Sequence, residues 1–126
     1  MFYQLVEKYL EEELANEPVK DFKRGQILYH EGDIPSRVYF LEKGMIGLFH
    51  ISETGKETFY RVFSKDDILG HRSFLAEEPY HASAIALTPV RVKSLSTEKC
   101  NEICLKHPQI MRELLKSLAK DLGNSE

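Results

Sequence analysis

Between Val19 and Ser94 the chain is a succession of short β-prone runs, and that pattern limits its fold more than any other feature. "QILYH", "RVYFLEK", "MIGLFHIS", "ETFYRVF", "ASAIAL" and "VRVKSL" draw heavily on Val, Ile, Phe and Tyr. The connecting stretches "EGD", "EKG", "ETGKE", "SKDD" and "LTP" are turn formers, with Gly or Asp where positive φ is needed. Many short strands at close spacing argue for an antiparallel barrel or jelly roll.

Both flanks change to helical spacing. Tyr3, Leu5, Val6, Tyr9, Leu10 and Leu14 recur with acids between them, so an amphipathic N-terminal helix is expected over residues 1–18, ending by Pro18. After the barrel (residues 19–95) come C-terminal helices over 96–126. Ser96 or Thr97 caps the first, with Glu98 in its opening turn, and Pro108 starts the second. In that last helix Met111, Leu115, Leu118 and Leu122 are spaced four, three and four, as in a coiled-coil seam, and Ile110 and Leu114 widen the stripe. The charged residues Arg112, Glu113, Lys116, Lys120 and Asp121 flank it. Two readings stay open: a homodimer helix, or packing against the chain's own barrel. With barely two heptads, a dimer resting on this helix alone is weak.

A length of 126 residues with 42% hydrophobic content supports one domain with a real core. The net charge of -3 and the absence of any Lys/Arg block make this stretch a poor nucleic-acid binder by itself. No run of 18 apolar residues occurs, and acids punctuate the N-terminus, so a cytoplasmic protein without a membrane partner is expected. Cys100 and Cys104, four apart on a helix, suit neither a disulfide framework nor a zinc site and read as packing residues.

Gly25, Gly32, Gly44, Gly55 and Gly70, together with Glu31-Gly32-Asp33 and Leu41-Glu42-Lys43-Gly44, give residues 19–95 a close resemblance to the cyclic nucleotide-binding domain. The likeness is strongest to the sensor half of the Crp/Fnr transcription regulators. The resemblance implies a double-stranded β-helix (jelly-roll) barrel, mainly β with flanking helices, that holds a ligand and passes its state along a dimer helix. It also implies that DNA is met through a C-terminal helix-turn-helix that this sequence lacks.

Nucleotide-binding members carry a phosphate-binding cassette of the form "GELALIYGTPRAAT", which lies without a gap on "GHRSFLAEEPYHAS", Gly70 to Ser83. Gly70, Pro79 and Ala82 are kept, and Ser83 stands where a hydroxyl is usual. The two charged contacts are not kept. The family's ribose-binding glutamate falls on His71, and its phosphate-binding arginine falls on Tyr80. An arginine–phosphate contact is charge-assisted, roughly 1.5 to 3 kcal/mol per hydrogen bond, so its loss weakens phosphate binding on the order of a hundredfold or more. Arg72 is adjacent but occupies an apolar cassette position, expected to turn it from the pocket. His81 offers a charged donor only if protonated. The expected pocket set is therefore Gly70, His71, Arg72, Ser73, Tyr80, His81, Ala82 and Ser83, with no cofactor and no metal.

The remaining alternatives are a weak cyclic nucleotide site, haem ligation through His71 as in haem-sensing branches of the superfamily, or a structural or interaction barrel whose pocket His71 and Tyr80 fill. Iron–sulfur sensing would need a cysteine cluster. A cupin-like metal enzyme would need two histidines two apart on a strand, which His30, His50, His71, His81 and His107 do not supply. With no catalytic triad order or P-loop either, no catalysis is expected.

Overall fold

The run Arg37–Lys43 carries four apolar residues in succession, Val38 to Leu41, where a strand wet on one face would alternate. In the computed structural model of this chain, which describes residues 13–124 apart from the side chains at 60 and 124, that run is a central strand buried on both faces. The order is β1 (Lys20–Phe22), β2 (Ile27–Tyr29), β3 (Arg37–Lys43), β4 (Ile46–Ile51), β5 (Glu57–Phe63), β6 (Ile68–Leu69), α1 (His71–Ala76), β7 (Ser83–Ala86), β8 (Val90–Ser96), α2 (Thr97–Lys106) and α3 (Pro108–Asn124). Two four-stranded sheets form, ordered β1-β8-β3-β6 and β2-β7-β4-β5, with every pairing antiparallel. This is the jelly-roll arrangement expected of the fold.

The two faces of the first sheet have different neighbours. Tyr39, Leu41, Leu69, Val90 and Val92 meet Ile46, Phe63, Ala84 and Ala86 of the second sheet in one core. Val38, Phe40, Ile68 and Leu95 point the other way, into a cluster with Cys100, Ile103 and Cys104 of α2 and Ile110 and Leu114 of α3. The second sheet leaves its outer face in solvent, where Ile51, Phe59 and Val62 are exposed.

The chain crosses from the first sheet to the second at Gly44. There φ is +92°, and a Cβ would run into the Pro89 carbonyl, so no other residue fits without backbone movement. The helix ends follow local chemistry. Ser96 Oγ accepts from the Lys99 amide at 3.1 Å, and Pro108 takes the first position of α3. Of the N-terminal helix only the turn at residues 13–15 is described; Leu14 packs into the helix-side cluster, and the rest of that expectation lies outside the described residues.

The apolar stripe of α3 divides. Ile110 and Leu114, each 1% exposed, are the residues driven into the core, with Met111 packed beside them. Leu115 and Leu122 face solvent, and Leu118 is half-buried. Asp121, one of the charges that flank the stripe, is ion-paired to Arg61 of β5.

Candidate ligand cavity

A cavity of about 600 Å³ lies between the second sheet, α1 and the last turns of α3. Its lining includes Gly70, His71, Arg72, Ser73, Tyr80, His81 and Ala82 of the anticipated set. Ser83 is buried and not among the lining residues; its hydroxyl accepts from the Glu31 amide at 2.9 Å and so ties β7 to the turn after β2.

Gly70 sets the geometry of the cassette segment. Its φ of +87° reverses the chain between β6 and α1, and a Cβ there would stand 3.0 Å from the Arg37 carbonyl oxygen and 3.4 Å from the Tyr80 ring. Glu77 closes α1 in the same left-handed region, and Ser73 Oγ donates to the Pro79 carbonyl at 3.2 Å, folding the loop back. The Tyr80 backbone then pairs with the Glu31-Gly32-Asp33 turn: Gly32 N–H donates to Tyr80 O at 2.9 Å and Tyr80 N–H to Asp33 O at 3.0 Å.

Those restraints fix Tyr80 as wall. Only 4% exposed, it donates its phenol O–H to the Arg37 carbonyl at 2.9 Å and stacks on Tyr29 with ring centroids 3.8 Å apart. Tyr29 in turn faces Tyr39 at 6.0 Å. A phenol has one proton to donate, and this one is used inside the fold. Burial also pushes the Tyr80 hydroxyl above its ordinary value, which keeps the ring neutral.

His71 is 3% exposed, with Nε2 against Ser117 Oγ of α3 at 3.3 Å; no described residue pairs with its Nδ1. Burial, and then the Arg61 charge, lower its pKa to about 4, so the imidazole is neutral near pH 7. Arg72 and His81 are exposed at the rim, His81 against Glu78 at 3.4 Å.

The charged group inside the cavity is one the sequence reading passed over. Arg61 shares the inner face of β5 with Phe63, its guanidinium 4.9 Å from that ring centroid, and Nη2 donates to Asp121 Oδ1 at 2.7 Å. Period two along "ETFYRVF" places Arg61 and Phe63 on one face, and a cation on the face of a core residue was the available signal. Nothing in sequence spacing points to Asp121 as its partner, 60 positions away. Among the described residues no three His, Cys, Asp or Glu side chains gather as a metal set.

The family model described as "Cyclic nucleotide-binding domain" matches residues 19–107, the jelly roll together with α2. The chain belongs to the cyclic nucleotide-binding domain family. Among its relatives, an uncharacterized protein of Haemophilus influenzae is 29% identical over 82% of this chain and 80% of its own length. A CRP-like cAMP-activated global transcriptional regulator of Mycobacterium tuberculosis is 28% identical over 81% of this chain and 46% of its own length. This chain thus spans just under half the length of that regulator. In fold it resembles the Thermus thermophilus catabolite activator protein, with TM-score 0.84, 22% identity, and coverage of 98% of this chain and 58% of that one. No helix among the described residues is long and apolar enough to cross a membrane.

Proposed function

We propose that this domain is the effector-sensing part of a Crp/Fnr-type transcription regulator of the cytoplasm, and that its effector is not a cyclic nucleotide. One observation carries the reading: at the cassette position where the family places its phosphate-binding cation stands Tyr80, a neutral, buried ring whose single donor is spent on the Arg37 carbonyl. A cyclic phosphate at that position meets a neutral phenol in place of a guanidinium. His71, in the place of the ribose-binding acid, is neutral near pH 7 and has its Nε2 against Ser117 Oγ at 3.3 Å, so it cannot act as the carboxylate that the family uses. In this reading the domain performs no chemical step. It pairs with a second copy through Met111, Leu115, Leu118 and Leu122, and reaches DNA through a helix-turn-helix outside this sequence.

A structural barrel with a self-filled pocket is the competing reading, and the stack of Tyr29 on Tyr80 favours it at the phosphate end. The remaining cavity of about 600 Å³ favours a sensor, since ligand sites run to about 300–1,000 Å³. Thermal-shift and calorimetric titration with cyclic AMP, cyclic GMP and haem tests the proposal. None of the three is expected to shift melting at micromolar concentration, and Tyr80→Arg is expected to improve cyclic AMP binding on the order of a hundredfold. Saturable micromolar binding of a cyclic nucleotide by the unaltered chain overturns it.

A further inference from the structure

Building on the sensor reading, we infer that the effector is a small organic carboxylate and that Arg61 is its anchor, the ligand's carboxylate replacing that of Asp121 on the guanidinium. Arg61 is a partly buried cation, its side chain 30% exposed, on the β5 face that carries Phe63 into the core. Its ion pair is half of what a guanidinium offers. Asp121 Oδ1 takes Nη2 at 2.7 Å, while Nε is buried with no acceptor among the described residues.

The same molecule shows the complete arrangement elsewhere. Arg91 grips Asp21 with Nε to Oδ1 at 2.9 Å and Nη2 to Oδ2 at 3.3 Å, both oxygens on one edge. Asp121, reaching across from α3, leaves that edge of Arg61 half-used. A free carboxylate can seat both oxygens, and a fork of this kind is stronger and more selective than a single contact.

The rest of the cavity describes the body of the ligand. Leu48, Phe63, Ile68, Leu69 and Leu118 supply an apolar surface, and His71 Nδ1 is a buried polar atom in the same lining with no described partner. The ligand therefore carries a short hydrocarbon portion, with room for one hydroxyl or carbonyl toward His71. Burial already pushes the Asp121 carboxyl above its ordinary range, against the pull of Arg61, so returning Asp121 to water relieves a cost. Ser117 and Asp121 lie one turn apart on α3, facing His71 and Arg61 respectively, so exchange of Asp121 for a ligand acts on this helix.

The test is calorimetry of the whole chain at low salt with hexanoate, benzoate and glutarate, with hexanamide as the neutral control and inorganic phosphate as the competing anion. At least one carboxylate is expected to bind, about tenfold or more tighter to Asp121→Asn, which removes the internal competitor. The same ligand should lose about tenfold or more on Arg61→Gln, and hexanamide should not bind. Absence of carboxylate binding even in Asp121→Asn, binding that Arg61→Gln leaves intact, or a preference for phosphate overturns the inference. Should either variant fail to fold, the carboxyl carbon resonance of Asp121 in the unaltered chain decides: it shifts as hexanoate saturates, or the inference falls. Micromolar cyclic AMP binding would instead defeat the non-nucleotide reading of the effector beneath it, whatever the carboxylates do.

Discussion

The two halves of α3 are held by different physics. Near its start, Ile110 and Leu114 are sealed in an apolar cluster with β3, β8 and α2. Near its end, the attachments are polar and border a cavity: Ser117 to His71 at 3.3 Å, and Asp121 to Arg61 at 2.7 Å. Apolar burial is large, non-directional and indifferent to small anions, whereas an ion pair about one-third exposed is weak and open to competition. The first half is therefore a fixed strut and the second half the part a ligand can address.

The largest effect that would break this contrast belongs to the strut. Leu114→Ala should cost about 2–5 kcal/mol in denaturant unfolding, because it opens a cavity in the helix-side cluster. A loss below about 1 kcal/mol would mean that the first half is not anchored as described.

Next comes His71, through pH. Its folded pKa of about 4 lies below the ordinary 6.5, so the unfolded chain takes up the proton first. The stabilisation is whole above about pH 6.5 and drains away as pH falls toward 4, by roughly 3 kcal/mol at full protonation. Comparing unfolding at pH 7.5 and 4.5 between the unaltered chain and His71→Gln isolates this slope from the carboxylates. Equal slopes would remove His71 from the account.

Smaller effects are expected at the addressable end. Ser117→Ala should cost about 1 kcal/mol, by leaving His71 Nε2 without its partner. Asp121→Asn should change stability by no more than about 0.5 kcal/mol, since the pair is only partly withdrawn from water. A loss at Asp121 as large as that at Leu114 would erase the distinction between the halves.

How much of this could be read without coordinates differs by element. "RVYFLEK" and "ETFYRVF" coincide with β3 and β5, because long β-branched and aromatic runs state their own limits. β1 leaves little local signal, because "KDF" buries only Phe22 and owes its pairing to β8, which is distant in sequence. The five turn glycines singled out all have φ between 83° and 92°. In the cavity, the Gly70 to Ala82 lining followed from the family cassette. Arg61 and Asp121 did not, because an ion pair between a strand and a helix 60 positions apart leaves no trace in local spacing. The helical repeat of α3 identified an apolar stripe but not its division, which depends on where the helix meets the sheet.

The central claim is that Tyr80 belongs to the wall of the cavity and not to its ligand set. Following the ring resonances of Tyr80 and Tyr29 by NMR while cyclic AMP is added to millimolar concentration tests it most directly. The account predicts that both rings stay unmoved, locked by the Arg37 carbonyl and by each other. Saturable shifts of the Tyr80 ring at micromolar cyclic AMP would contradict it.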